Sequence, residues 1–356
     1  MHMLAADDPV IVFDRHSVMH IVLNRPEALN SLDVHMIRII GKALDDAEKA
    51  DDVKAAILYG SGERGFCAGG DIKLIARSVA DDSLAPAMQF FEEEYALDLR
   101  IHSFKKPLVV LADGITMGGG LGLAAGSDMV IATERTRMAM PETRIGFFPD
   151  VGATGWLFRK CPPGYPEFLA LTGYESTGSE CVRVGLATHF VPSERLREVV
   201  KGIEAGAEGI APEKEEGRKI LEGMLKKVLI EDIPVHPDMD AWVRTYFSGR
   251  ASVLDLLEDL KQCSIEQELC KGVFDRLSQM SPSAVVLTLA LLRHNENRDI
   301  DDVYKADLMA ARYLTGRHDF REGVRARLID RDDRPLWIPQ TFDEASALFD
   351  PSAVFR

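Results

Sequence analysis

The sequence has few of the residues that build metal sites and disulfide-rich domains. Its nine histidines show no regular metal-ligand spacing, and its five cysteines form no C-x-x-C pair; they stand at positions 67, 161, 181, 263 and 270. An odd number of scattered cysteines argues against a disulfide framework and against a zinc site. We therefore expect no metal, no disulfide framework and a reducing, cytoplasmic compartment.

Long apolar runs are missing as well. The most apolar stretch, LVVLADGITMGGGLGLAAG (108–126), is interrupted by Asp113 and by several glycines, which argues against a bilayer-spanning helix. The first ten residues, MHMLAADDPV, lack the basic and apolar segments of a secretory signal. We expect a soluble protein with no membrane partner.

Positive charge is also scarce. The 356 residues carry a formal net charge of −15, and no Lys/Arg-rich run offsets it. Such a chain repels a phosphate backbone, so we expect no nucleic-acid partner, although a local basic cluster can still hold a small anion. A composition of 46% hydrophobic and 28% charged residues is that of a globular protein with a large core.

The chain begins with a β, β, α pattern. β-branched runs in VIVFDRHSVMHIVLNRP (10–26) are broken by a polar turn, which predicts a hairpin. The next segment, SLDVHMIRIIGKALDDAEKA (31–50), has apolar residues at helical spacing, and either Ser31 or Asp33 is a suitable N-cap.

Two later segments repeat one plan of strand, glycine turn and helix. KAAILYG (54–60) leads to the turn AGGD (68–71), and KPLVVLADG (106–114) leads to MGGGLG (117–122). From about residue 194 the apolar spacing is mainly helical. We therefore predict an α/β core over residues 1–193 and a mainly helical region over 194–356.

The glycine turns allow backbone N–H groups to approach a ligand closely. If the two turns stack, their amides can converge on one oxygen and form an oxyanion hole. The alternative is that the glycines only permit tight turns and close packing. A P-loop is excluded because Phe66 and Cys67 replace its Lys and Ser/Thr, whereas GLGLAA (120–125) fits a degenerate dinucleotide motif.

Two carboxylates lie in an apolar setting. Glu142 and Asp150 each follow a proline in MAMPETRIGFFPD (138–150). A desolvated carboxylate has a raised pKa and is a stronger base or nucleophile, which favours catalysis. The alternative is structural, with both residues capping turns or the next helix. We interpret Cys67 as a small packed thiol rather than a nucleophile.

Four motifs together resemble the crotonase, or enoyl-CoA hydratase/isomerase, superfamily: LNRPEALNSL (23–32), GFCAGGDIK (65–73), ITMGGGLGL (115–123) and MPETRIGFFPDVG (140–152). The resemblance implies a spiral of ββα repeats with a coenzyme A thioester bound across the glycine turns. It places the oxyanion donors on the backbone N–H groups of Gly70 and Gly119. Relatives are often trimers or hexamers, which makes a homo-oligomer one option; the alternative is that the long helical region covers the surface that they use.

The acidic residues resemble one branch of this superfamily. The hydratases use two glutamates, and the first would align with Gly122. Instead, a second carboxylate follows Glu142 by eight residues, as in the 3-hydroxyisobutyryl-CoA hydrolases. Two further segments, FFEEEYALDL (90–99) and GRHDFREGVRARLIDRDDRPLWIP (316–339), are similar to the same branch. The resemblance therefore implies thioester hydrolysis associated with valine breakdown, with Glu142 and Asp150 catalytic and Glu94 lining the substrate pocket.

Coenzyme A is then part of the substrate, and no separate cofactor is expected. By resemblance, the residues that contact it are Arg25, Ala28, Ala68, Asp71, Ile72 and Lys73. Arg64 is another candidate cation for its phosphates, and ordinary surface charge is the alternative for each cation. The residues after PDVG depart from the branch, which commonly has two more glycines there, so we expect a reshaped acyl pocket.

Three other functions stay open at this point. A hydratase or isomerase would share the fold, and a non-catalytic acyl-CoA-binding protein would share the glycine turns. A dinucleotide-binding enzyme would use GLGLAA (120–125) instead.

Overall fold

A computed structural model describes residues 8–72, 75–76, 84–211 and 213–355. Contacts divide the chain into two compact units. The first comprises Met1–Gly70, Glu93–Met138 and Ser176–Val235, and the second comprises Asp71–Glu92, Ala139–Glu175 and His236–Arg356. The proposed boundary at 193/194 falls inside the last segment of the first unit, and the division by function into core and helical region stays a prediction.

The first unit contains a six-stranded sheet. Its strands lie in the order β1-β2-β3-β5-β7-β10. Their bounds are β1 Val10–Arg15, β2 Val18–Leu23, β3 Ala55–Gly60, β5 Leu108–Ala112, β7 Met129–Ala132 and β10 His189–Phe190. β1 and β2 pair antiparallel, which confirms the predicted hairpin, and the other neighbours pair parallel.

A smaller sheet carries the glycine turns. Its strands are β4 Gly65–Cys67, β6 Ile115–Met117, β8 Arg137–Ala139 and β9 Ser176–Thr177, in that order. β4 pairs parallel with β6, so the chain leaves both strands in the same direction. The glycine turns that follow β4 and β6 therefore emerge at one edge of this sheet.

Helices cover the large sheet. The helix α1 (Val34–Lys49) packs on β1, β2 and β3. Its N-cap is Asp33, whose carboxylate accepts a hydrogen bond from the Met36 amide at 2.8 Å, so one of the two predicted caps is confirmed.

A second hydrophobic layer joins the large sheet to two other helices. Val18, Ile57 and Ile131 pack in one cluster with residues of α7 (Leu196–Gly206) and α8 (Lys214–Leu225). Side chains that alternate with these along the strands, such as Met19, are also buried. Burial of both kinds of position is typical of a parallel sheet covered on two faces.

The remaining helices complete the chain. α2 (Ala85–His102) contributes residues to both units, and the first unit also contains α3 (Gly119–Ala125) and α6 (Glu180–Arg183). Those of the second unit are α4 Ala153–Lys160, α5 Tyr165–Thr172, α9 Pro237–Phe247, α10 Val253–Gln262, α11 Gln267–Leu277, α12 Pro282–Asn295, α13 Ile300–Thr315, α14 His318–Val324 and α15 Phe342–Leu348. The predicted α/β fold with a helical C-terminal region is confirmed.

One disulfide corrects the interpretation of the cysteines. Cys263 and Cys270, with Cα atoms 6.4 Å apart, are joined between α10 and α11. Spacing alone did not indicate this pair, because a helix–turn–helix connection brings the two residues together in space. Cys67, Cys161 and Cys181 are not part of a disulfide. In the described part of the chain, no helix is long and apolar enough to cross a membrane.

The N-cap of α1 can be tested by mutation. We expect Asp33→Ala to lower the free energy of unfolding by about 1 kcal/mol, because the Met36 amide loses its acceptor. Asp33→Asn keeps a side-chain acceptor and serves as the matched control, with a smaller loss. Denaturant unfolding measures both, and equal stability of Asp33→Ala and the wild type would contradict this role.

Candidate active site

The first glycine turn leaves the Gly70 amide available to a ligand. Gly70 forms a parallel bridge with Leu32, in which the Leu32 amide donates to the Gly69 carbonyl at 2.8 Å. In such a bridge one residue makes both hydrogen bonds, and the N–H of its partner points away. The Gly70 N–H is therefore not used by this pairing.

The second glycine turn approaches the first. Gly118 has φ +50° and leads into α3, which begins at Gly119. A Cβ on Gly69, where φ is +96°, would lie 3.2 Å from the Gly119 amide nitrogen. A Cβ on Gly120 would lie only 2.3 Å from the Cys67 carbonyl oxygen. These close approaches explain why glycine occupies both turns.

Glu94 meets these turns from α2. A Cβ added to Gly119 would lie 2.2 Å from Glu94 Oε1 and 3.4 Å from the Gly70 nitrogen. The Glu94 side chain is buried, with 2% of the residue exposed. The first unit thus brings together three of the predicted site residues: Gly70, Gly119 and Glu94. Their roles as oxyanion donors and pocket residue stay predictions.

Cys67 lies in this cluster but is not poised to react. Burial raises the pKa of its thiol to about 12, although a hydrogen bond with Gly69 opposes that effect. The negative charges of Glu94 and Asp98 raise the pKa further. A thiol that stays protonated is a poor nucleophile, which favours the interpretation of Cys67 as a packing residue.

Glu142 lies in the second unit at the start of a short 3-10 helix, Glu142–Ile145. It is 8% exposed, and its Oε2 has no hydrogen-bond partner among the residues that the structure describes. Burial raises the pKa of Glu142 well above its ordinary range, and the charge of Asp150 raises it further. A carboxyl group with a raised pKa is a stronger base or nucleophile once it is ionised.

Asp150 precedes an unusual turn. It is 6% exposed and is followed by Val151 and Gly152, with φ of +50° and +76°. The next helix, α4, has Gly152 as its N-cap and no side-chain capping hydrogen bond. Asp150 is therefore not the N-cap of α4, and the alternative in which it caps a turn is not tested.

Sequence reasoning missed the groups that hold this turn. Asp307 Oδ2 accepts a hydrogen bond from the Gly152 amide at 2.8 Å, and the Tyr304 hydroxyl donates to the Val151 carbonyl at 3.0 Å. A signal for Asp307 was present, because it is the one charged residue on the buried and mostly apolar face of α13. A carboxylate on such a face is unusual without a function or a partner.

Ala153 and Thr154 follow Gly152 where the hydrolase branch commonly has two more glycines, and Thr154 makes a hydrogen bond that glycine cannot make. Thr154 is fully buried, and its hydroxyl accepts a hydrogen bond from Asn295 Nδ2 at 2.9 Å and lies 3.5 Å from Asp307. A Cβ on Gly155 would lie 2.5 Å from Val303 Cγ2. These residues therefore pack against the C-terminal helices, and the expected effect on the acyl pocket stays a prediction.

The predicted CoA-binding residues lie in both units. In the first, the Ala68 amide donates to the Leu29 carbonyl at 3.0 Å, which brings the segment of Ala28 beside Ala68. In the second, Asp71 and Ile72 are half-buried. Lys73 lies outside the described residues.

The candidate cations already have contacts with the protein. Arg25 donates to the Ser31 carbonyl at 2.9 Å and lies 3.4 Å from the carboxylate of Asp33. Arg64 is exposed and donates to the carbonyls of Pro26 and Glu27 at 2.7 and 3.0 Å. These bonds fit the structural alternative and leave phosphate binding as a prediction. No cluster of metal-binding side chains occurs among the described residues.

The described fold is the crotonase fold of the enoyl-CoA hydratases and their relatives. A model of the enoyl-CoA hydratase/isomerase family matches residues 18–349. The chain therefore belongs to the enoyl-CoA hydratase/isomerase family.

Within this family, the chain is similar to proteins named 3-hydroxyisobutyryl-CoA hydrolase. The chain is 38% identical over 331 residues to the mitochondrial 3-hydroxyisobutyryl-CoA hydrolase of Xenopus laevis, covering 92% of this chain and 83% of that protein. It is 37% identical over 332 residues to the human protein of the same name, with the same coverage.

Solved structures of similar length match the whole chain. A carnitinyl-CoA dehydratase from Mycobacterium thermoresistibile has 30% identity and a TM-score of 0.84, covering 98% of this chain and 99% of that one. An enoyl-CoA hydratase from Rhodobacter sphaeroides has 28% identity and a TM-score of 0.83, covering 98% and 96%.

Adjacent glycines of the second turn should respond differently to substitution. Gly119→Ala would displace the flexible end of Glu94, so we expect a folded protein with reduced activity. Gly120→Ala would push against the Cys67 carbonyl, which belongs to the backbone, so we expect a loss of about 1–3 kcal/mol in stability. Unfolding curves and acyl-CoA turnover measure the two effects. Equal destabilisation by both variants would contradict this assignment.

Proposed function

We propose that the protein hydrolyses a short-chain acyl-CoA thioester, with 3-hydroxyisobutyryl-CoA as substrate and 3-hydroxyisobutyrate and CoA as products. The observation that carries the proposal is the buried Glu142 carboxyl group, with Asp150 acting on its pKa. The chain is also 36–38% identical to proteins named 3-hydroxyisobutyryl-CoA hydrolase, which supports 3-hydroxyisobutyryl-CoA as the substrate.

In this proposal the thioester oxygen is held by two backbone amides. The N–H groups of Gly70 and Gly119 donate to the carbonyl oxygen and stabilise the negative charge that develops when the carbonyl is attacked. Each such donor contributes roughly 3–4 kcal/mol to catalysis in other oxyanion holes. The convergence of Gly119 and Gly70 within the first unit supports this assignment.

Glu142 performs the chemical step. As a nucleophile its carboxylate attacks the carbonyl carbon, the C–S bond breaks with release of CoA thiolate, and water then cleaves the acyl–glutamyl anhydride. As a general base it instead takes a proton from the water that attacks the carbonyl. Both routes require Glu142 to be ionised. Asp150 and Glu94 orient the substrate hydroxyl or the water, and Arg25, Arg64 and Lys73 attract the phosphates of CoA.

Hydration or dehydration is the second candidate, because the two solved structures with TM-scores above 0.8 are named a dehydratase and a hydratase. Against it, Gly122 lies buried in α3 at the position where the hydratases of the resemblance carry their first glutamate. A hydratase changes the absorbance of an enoyl thioester without releasing thiol, so one substrate panel separates the two activities.

The setting of the reaction remains a proposal. We assign the activity to valine catabolism through the named relatives and keep cytoplasmic location as a prediction, although those relatives are named as mitochondrial. Assembly into a homo-oligomer also stays a prediction.

Thiol release from 3-hydroxyisobutyryl-CoA tests the function directly. We expect turnover by the wild type and a loss of about 10²–10⁴-fold in Glu142→Gln, because the amide can neither attack the carbonyl nor accept a proton. Glu194→Gln changes an exposed glutamate and is the matched control. Binding of acyl-CoA without thiol release by the wild type would favour a non-catalytic binding protein, and an active Glu142→Gln would overturn the mechanism.

The pH dependence should follow the ionisation of Glu142. Its pKa is raised, and the active form is the carboxylate, so kcat/KM increases as pH rises through that pKa. Asp150→Asn removes a neighbouring negative charge, so the residual activity should reach its plateau at lower pH. Profiles of kcat/KM for the two proteins measure this shift. An unchanged acidic limb would contradict the coupling of Asp150 to Glu142.

A further inference from the structure

We propose that Asp307 and Tyr304 are positioning residues that hold the backbone after Asp150 and thereby set the direction of its carboxylate. They lie one turn apart on α13, about 150 residues further along the chain than Asp150. This inference rests on the proposed role of Asp150 in thioester hydrolysis. It extends the candidate site to residues that no motif indicated.

Asp307 anchors the turn through its carboxylate. Asp307 is fully buried, its Oδ2 accepts the Gly152 N–H at 2.8 Å, and its Oδ1 lies 3.5 Å from Thr154 Oγ1. Thr154 in turn accepts from Asn295 on α12, at 2.9 Å. One carboxylate oxygen of Asp307 therefore lies beside Thr154, and the other binds the amide of Gly152, two residues after Asp150.

Tyr304 anchors the neighbouring peptide group. Its hydroxyl donates to the Val151 carbonyl at 3.0 Å, and the Trp156 indole N–H donates to the same oxygen at 3.0 Å. The Tyr304 ring also covers Gly152, because a Cβ there would lie 2.9 Å from Tyr304 Cζ. Two donors and a ring thus restrain the two residues that follow Asp150.

The backbone at this point needs such restraint. Val151 has φ +50°, and a β-branched residue in the left-handed region is a genuine outlier. A strained residue of this kind is unfavourable and persists only where the surrounding structure holds it. If the anchors were weakened, Val151 would relax towards an extended or right-handed conformation, and the adjoining Asp150 would turn with it.

The electrostatics fit a direct relation between the two carboxyl groups. Burial raises the pKa of Asp307 well above its ordinary range, the Gly152 N–H lowers it, and the charge of Asp150 raises it. Thr154 is the other group that faces Asp307 in this pattern, and its hydroxyl lowers the pKa. Asp307 thus contributes a hydrogen-bond acceptor for the turn, close to a second buried acid.

Conservative and disruptive variants separate these contributions. Asp307→Asn keeps an oxygen that can accept the Gly152 N–H, so we expect kcat within a few-fold of the wild type. Asp307→Ala leaves that amide without its acceptor, so kcat should fall by about 10–100-fold, a range consistent with a displacement near 1 Å. Tyr304→Phe should lower kcat by about 3–10-fold and change KM less, because the hydroxyl that it removes is bonded to the Val151 carbonyl.

Matched controls lie on the same helix. Asp301→Asn removes an exposed carboxylate, and Tyr313→Phe removes the hydroxyl of a half-buried tyrosine whose ring contacts Arg317. Both should retain wild-type kcat. Circular dichroism and thermal unfolding select the variants that remain folded, and the conclusion can rest on Tyr304→Phe if Asp307→Ala does not fold.

The decisive measurement is a double-mutant cycle with Asp150→Ala. If Asp307 and Tyr304 act through Asp150, Tyr304→Phe will cause no further loss of kcat in that background. Additive losses, or an unchanged kcat in folded Tyr304→Phe and Asp307→Ala, would overturn the positioning role. Failure of the proposed function is distinguishable, because wild-type protein would then release no thiol or Asp150→Ala alone would leave kcat unchanged.

Discussion

The burial of carboxyl groups is the constraint on which the second unit depends. Water stabilises an ionised carboxylate strongly, so removing three such groups from water is costly unless hydrogen bonds or protonation compensate. Glu142, Asp150 and Asp307 are each less than 10% exposed. Asp307 accepts a hydrogen bond from the Gly152 amide, whereas Glu142 remains a buried acid with a raised pKa. The burial of Glu142 therefore gives the second unit a carboxyl group that is suited to proton transfer.

Close backbone approach is the corresponding constraint in the first unit. An oxyanion hole made of amides needs two turns whose backbones nearly touch, and a Cβ on Gly69 or Gly120 would push against the facing backbone. Gly69 and Gly120 permit the approach, and the space beside Gly119 is bounded by Glu94. Backbone amides suit this purpose because secondary structure orients them and they carry no side-chain rotamers.

Local patterns in the sequence predicted much of this structure. The β-branched runs broken by a polar turn predicted the hairpin, and helical spacing after Ser31 or Asp33 predicted α1. The carboxylates that follow prolines in an apolar segment indicated Glu142 as a buried acid. Spacing did not indicate the disulfide of Cys263 with Cys270, since a helix–turn–helix connection creates that proximity. The local sequence also offered Asp150 as an N-cap of the next helix. The structure instead has Gly152, in the left-handed conformation, as the N-cap of α4.

The sequence by itself determined the family, the α/β class, the glycine turns and the acidic pair, because each depends on residues that are neighbours along the chain. The tertiary structure decided which turns touch and what holds the Asp150 turn. Tyr304 and Asp307 reach Val151 and Gly152 from more than 150 residues away, and no local periodicity encodes that contact. The contact arises because α13 packs within the second unit with Tyr304 and Asp307 on its buried face. These two polar side chains then lie against the strained turn at Val151 and Gly152.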